Sequence, residues 1–159
     1  SIRDLVKNAL RMRPDRIVVG EVRSEEVLDM IQAMNTGHEG SMTTVHANNA
    51  DDAVTRVVTM LGMAGTKLSE SMMVQMIARA IHLIVFVNRQ TDGTRRLTAV
   101  AEVNGMRDGE VQLHHVYNYE TWGVNAQGRV EGGFTSSGRS ILLERFMAHG
   151  LPLHPSCLQ

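Results

Sequence analysis

The chain has 159 residues, of which 43% are hydrophobic and 21% charged, with a formal net charge of -1. That length suits one domain around one sizeable core, and the balance argues against disorder, a basic nucleic-acid surface or an acidic tail, so no nucleic-acid partner is expected. The longest apolar run, IHLIVFV at 81–87, is well short of the roughly 20 residues that span a bilayer and reads as a buried strand. No signal peptide is expected. The single cysteine, Cys157, rules out an internal disulfide and fits a reducing cytoplasm. A start at Ser1, directly in a helical pattern, is expected of a piece of something longer.

In chain order, IRDLVKNALRMR spaces Leu5, Ala9 and Met12 as a helix that Pro14 stops near Arg13. The β-branched run Ile17, Val18 and Val19 predicts a central strand buried on both faces. Ser24 is placed to cap a helix with Glu25 and Glu26 in its first turn, Val27, Leu28, Ile31 and Met34 on one face, and Gly37 as its stop. A short strand is expected over Ser41 to Val45. Asn49 should cap the next helix, broken at Gly62 and Gly65, and Ser69 a third whose methionines fill a core. With HLIVFVN as a further strand, the alternation predicts an α/β layer with a mostly parallel sheet. From about residue 95, RRLTAVAEVNGM and EVQLHHVYNYE flank RDG as a β-hairpin added at the sheet edge. TWGVNAQGRVEGGFTSSGRS reads as irregular and ILLERFMAHGLP as a short terminal helix.

Candidate chemistry lies at strand ends, where open α/β sheets gather ligands. Glu21 follows IVVG directly, and Thr44 and His46 end what should be the adjacent strand. A carboxylate, a hydroxyl and an imidazole converging there can orient a water and contact a phosphate oxygen. A plain surface ion pair of Glu21 with Arg23 or Arg16 is the bland alternative.

LRMRPDRIVVGEVR, followed by TGHEGSMTTVHAN, resembles the Walker B segment and histidine box of the type II/type IV secretion and pilus-motor ATPases. These are RecA-like hexamers, and the CpaF-like ATPases of Flp/Tad pilus assembly are the most similar branch. LTAVAEVNGM and GRSILLERFMAHGL share that resemblance, which is good over the first 120 residues and weaker over the last 40. It implies the C-terminal part of a RecA-like P-loop ATPase core over 1–120 and an irregular segment with a terminal helix over 121–159. Glu21 takes the place of the glutamate that positions the attacking water, and His46 that of the histidine sensing the γ-phosphate, with Thr44 beside it. Gly20 stands where many P-loop enzymes carry a magnesium-linked aspartate. Arg23 completes GEVR and would tether Glu21 or reach a subunit interface. Gly37 and Gly40 would give the backbone freedom around His38, whose imidazole is either loop-capping or catalytic. The parent protein would use ATP and Mg2+, form a homo-hexamer in the cytoplasm, and work against inner-membrane platform proteins.

No G-x-x-x-x-G-K-[ST] occurs, and GMAGTKLS at 62–69 lacks both its spacing and a preceding strand. The phosphate cradle and the family's aspartate box would lie before Ser1. The chain alone should therefore bind no ATP and hydrolyse none, and its unpaired sheet edge should promote self-association. A metal site from His38, Glu39, His46, His114 and His115 is disfavoured by spacing, since Met42 stands four residues after His38. Adjacent strand residues such as His114 and His115 point to opposite faces. A non-catalytic protein-interaction module is the alternative function.

Overall fold

A computed structural model describes residues 1–152. They form two compact units, Ser1–His82 with Gly105–Gln112, and Leu83–Asn104 with the chain from Leu113 onward. These units are interleaved in sequence and differ from the division at residue 120 expected from the resemblance. Cys157 lies outside the described residues.

The first unit carries four helices and a parallel strand pair. Helix α1 (Ile2–Arg11) opens on a reciprocal cap, Ser1 Oγ accepting the Asp4 N–H at 3.2 Å while the Asp4 carboxylate accepts from the Ser1 ammonium. It ends before Pro14, with Arg13 at φ 51°. Strand β1 (Val18–Val19) and strand β2 (Met42–Thr43) pair in parallel, Val18 opposite Met42 and Val19 opposite Thr43. The ladder is prolonged by Met42 N–H to Ile17 O at 3.0 Å and Val22 N–H to Thr44 O at 3.1 Å. Between them runs α2 (Glu26–Asn35), followed by α3 (Ala50–Met63) and α4 (Glu70–Ala80).

Caps at Asn49 and Ser69 form as the sequence predicts, their side chains accepting the N–H of Asp52 at 2.7 Å and of Met72 at 3.3 Å. Val27, Leu28 and Ile31 of α2, Val57, Met60 and Leu61 of α3, and Met73 and Ile77 of α4 make one core, with Val22 of the β1–α2 loop. Ile17, Met30 and Ala33 make a smaller one. An ion pair joins the first two helices, Arg3 Nε lying 2.7 Å from the buried Asp29.

Three expectations for this unit change. Val18 is 68% exposed, so β1 is covered on one face only. Ser24 does not cap α2, whose N-cap is Glu25 without a side-chain bond. Gly62 lies inside α3 rather than ending it.

The second unit is built on a four-stranded sheet of β3 (Leu83–Arg89), β4 (Arg95–Arg107), β5 (Glu110–Val124) and β6 (Val130–Ser136), in that order. The pairs β3–β4 and β5–β6 are antiparallel. The β4–β5 connection is Asp108-Gly109 with φ 52° and 85°, the mirror-image turn that matches strand twist. The α/β class and the parallel pairing are as expected, but the parallel sheet has two strands and the antiparallel one four. The hairpin belongs to this second sheet rather than to the parallel one.

Strand β3 is an edge strand with Leu83, Val85 and Val87 about half exposed, which corrects its reading as buried. The stretch read as irregular is the end of β5 and all of β6. The terminal helix is α5 (Leu143–Ala148). Its approach is fixed by buried Glu102, which accepts from Ser140 Oγ and from the Ile141 N–H at 2.7 Å. Among the described residues no helix is long and apolar enough to cross a membrane.

Candidate functional site

The parallel register determines what meets at the carboxyl ends of β1 and β2. With Val19 opposite Thr43, the chains leaving the two strands stay side by side, and Thr44 Oγ1 donates to Gly20 O at 2.6 Å. The loop is held from its other end by Glu26. Its buried carboxylate accepts the N–H of Arg23 at 2.7 Å and of Ser24 at 3.1 Å. Burial pushes that carboxyl up, but the backbone N–H groups, led by that of Arg23, outweigh it and leave its pKa below the ordinary value. The loop is thereby sewn to β2 on one side and to the first turn of α2 on the other.

Glu21 and His46 face each other across this seam. Arg23 Nη2 lies 2.6 Å from Glu21 Oε2, and His46 Nε2 lies 2.8 Å from Oε1. The guanidinium bond holds the Glu21 carboxyl below its usual range against a desolvation that would raise it, with the charges of Arg23 and His46 adding to the shift. The arginine is raised in turn. The histidine contact occupies the other oxygen, so each carboxylate oxygen has one basic partner and keeps a further lone-pair site.

These residues line a cleft of about 180 Å3 together with Val22, Val45, Arg56 and Met60. Arg56 and Met60 come from α3, and the sequence reading did not single them out.

The remaining candidates lie elsewhere or act through the backbone. Thr44 is spent on the Gly20 carbonyl and is not a lining residue. Gly37 (φ 94°) and Gly40 (φ 81°) shape the turn into β2, a conformation that favours glycine. A side chain on Gly40 would also meet the Arg16 guanidinium. Within that turn His38 O accepts from Ser41 Oγ at 2.7 Å, and Ser41 Oγ accepts the Ile17 N–H at 2.9 Å. The His38 ring does not line the cleft. A Cβ on Gly20 would touch nothing within 4 Å, so space does not demand glycine there. Among the described residues no three His, Cys, Asp or Glu side chains come together as a metal cage.

The α/β chain thus places a carboxylate and an imidazole together at the ends of neighbouring parallel strands. Residues 1–130 match the family described as Type II/IV secretion system protein, and the chain belongs to that family. It is 42% identical over 118 residues to a conjugal transfer protein of Mycobacterium tuberculosis, covering 74% of this chain and 33% of the relative. It is 39% identical over 116 residues to the conjugal transfer protein TrbB of Rhizobium radiobacter, covering 73% and 34%. Among solved structures, the VirB11 ATPase of the Brucella suis type IV secretion system, in complex with sulphate, superposes with a TM-score of 0.61. The identity is 27%, over 64% of this chain and 32% of that one. The chain thus spans about a third of the length of the relatives it matches.

Proposed function

We propose that the chain is the C-terminal part of a cytoplasmic, hexameric secretion ATPase that couples ATP hydrolysis to protein export or pilus assembly at an inner-membrane platform. Family membership and relatives named for conjugal transfer and type IV secretion support the motor reading. The Flp/Tad pilus branch rests on LTAVAEVNGM and GRSILLERFMAHGL.

The observation that carries the reading is the Glu21 carboxylate held between Arg23 and His46, with Oε1 2.8 Å from His46 Nε2. Each of its oxygens has a second lone-pair site that can accept a hydrogen from water, and a carboxylate kept ionised by Arg23 stays an acceptor as charge develops on that water. The imidazole, held at Oε1, can donate to a phosphate oxygen and so link the carboxylate to the state of the nucleotide. Arg23, locked by the Glu26-bound turn, keeps the carboxylate oriented.

The donor set does not fit a direct magnesium site. Its one carboxylate is engaged by two bases, so the ligands of an ion accompanying ATP would belong to the nucleotide and to other parts of the whole protein. The phosphate cradle is likewise assigned there.

Glu21→Gln in the full-length protein tests the proposal. Turnover should drop by about 10²-fold or more while nucleotide still binds. Unchanged ATPase activity would reject Glu21 as the water-positioning group. His46→Ala should slow turnover too, and unaltered kinetics would remove its sensing role.

A further inference from the structure

The cleft holds one cation more than its own carboxylate can use. Glu21 contributes one negative charge and is matched by Arg23, and Arg56 lines the same cleft from the second turn of α3. The usual intrahelical partner of a helical arginine lies four residues before it. Here that residue is Asp52, and its Oδ2 is taken by Asn48, whose N–H and Nδ2 donate at 2.8 and 2.9 Å. Arg56 makes no ion pair or hydrogen bond among the described residues. One turn further on, Met60, 7% exposed, lines the same cleft and fixes which side of α3 faces it.

A planar guanidinium with free N–H groups recognises the paired oxygens of a phosphate. We infer that Arg56 is an anion-binding residue that contacts the terminal phosphate of a nucleoside triphosphate beside Glu21 and His46. This rests on the nucleotide reading of the site.

The test is equilibrium binding of a fluorescent non-hydrolysable ATP analogue and of fluorescent ADP to the full-length protein, with Glu21→Gln turnover measured in parallel. Arg56→Gln should weaken the analogue about tenfold or more, as expected for a lost hydrogen bond to a charged group, and ADP by less than about twofold. Arg56→Lys keeps the charge without the fork and should fall between Gln and the wild type. It serves as the test variant if Arg56→Gln does not fold. Equal weakening of both nucleotides, or wild-type binding of both, overturns the assignment of Arg56. If Glu21→Gln abolishes turnover in that event, the nucleotide reading stands without it. If Glu21→Gln keeps full activity, the nucleotide reading falls first and the assignment of Arg56 with it.

Discussion

Glu21 of the first unit and two carboxylates of the second differ in what holds them. In the second unit Glu102 is buried and filled by a hydroxyl and a backbone N–H, and Asp92 accepts from the Thr94 N–H and hydroxyl and from the Val130 N–H at 2.9 Å. Both are fasteners, with donors on each oxygen. In the first unit Glu21 is held by two side chains, Arg23 at Oε2 and His46 at Oε1. Backbone N–H and hydroxyl donors tie a carboxylate to the chain around it, whereas Glu21 meets side chains that line a cleft.

Substitutions can break or sharpen that contrast. The largest effect belongs to neither carboxylate: Leu61, wholly buried between α2 and α4, should cost about 2–5 kcal/mol on truncation to Ala, read by denaturant unfolding. Glu102→Gln should cost about 1–3 kcal/mol by weakening the bonds that seat α5. Faster hydrogen exchange at Ile141 and along α5 would locate the loss. Glu21→Gln should leave the unfolding midpoint where it is, and a drop matching that of Glu102→Gln would erase the distinction between fastener and reagent. Asn49→Ala should cost about 1 kcal/mol and fray the first turn of α3, by the same exchange measurement.

Acid supplies the gentlest probe. Hydrogen bonds led by those from Thr94 hold the Asp92 carboxyl down to about 2, from its ordinary 3.8. Its contribution is therefore complete above the unfolded value and is lost as pH falls from about 4 through 2. Exchange protection at Val130 should decline across that window, and Asp92→Asn should flatten the decline.

Much of this was legible in the sequence where local chemistry dictates local form. Asn49 and Ser69 cap because a short side-chain acceptor precedes an apolar helical run, and Asp108-Gly109 turns because both residues tolerate positive φ. Glu21 and His46 could be paired in advance because parallel neighbours bring corresponding ends together. Strand β6 was missed because Gly132 and Gly133 read as loop. In the fold they are strand residues that leave room for rings, since a Cβ on Gly132 would strike Tyr119 and one on Gly133 would strike Trp122. The Ser24 cap failed because the helix starts one residue later, at an N-cap of Glu25, and the Val27 N–H bonds to the Ser24 carbonyl at 3.2 Å. Arg56 gave no signal of its own, since its role depends on Asp52 turning to Asn48, a contact that spacing alone does not specify.

The bonds from Glu26 to the N–H groups of Arg23 and Ser24 also have a kinematic meaning. They weld the turn to the first turn of α2, so that the Arg23 backbone travels with that helix as one body. Glu25 and Asp29, on the same end of α2, are grasped by Arg3 of α1. The turn that carries Arg23, helix α2 and helix α1 are thus joined by one unbroken run of polar contacts.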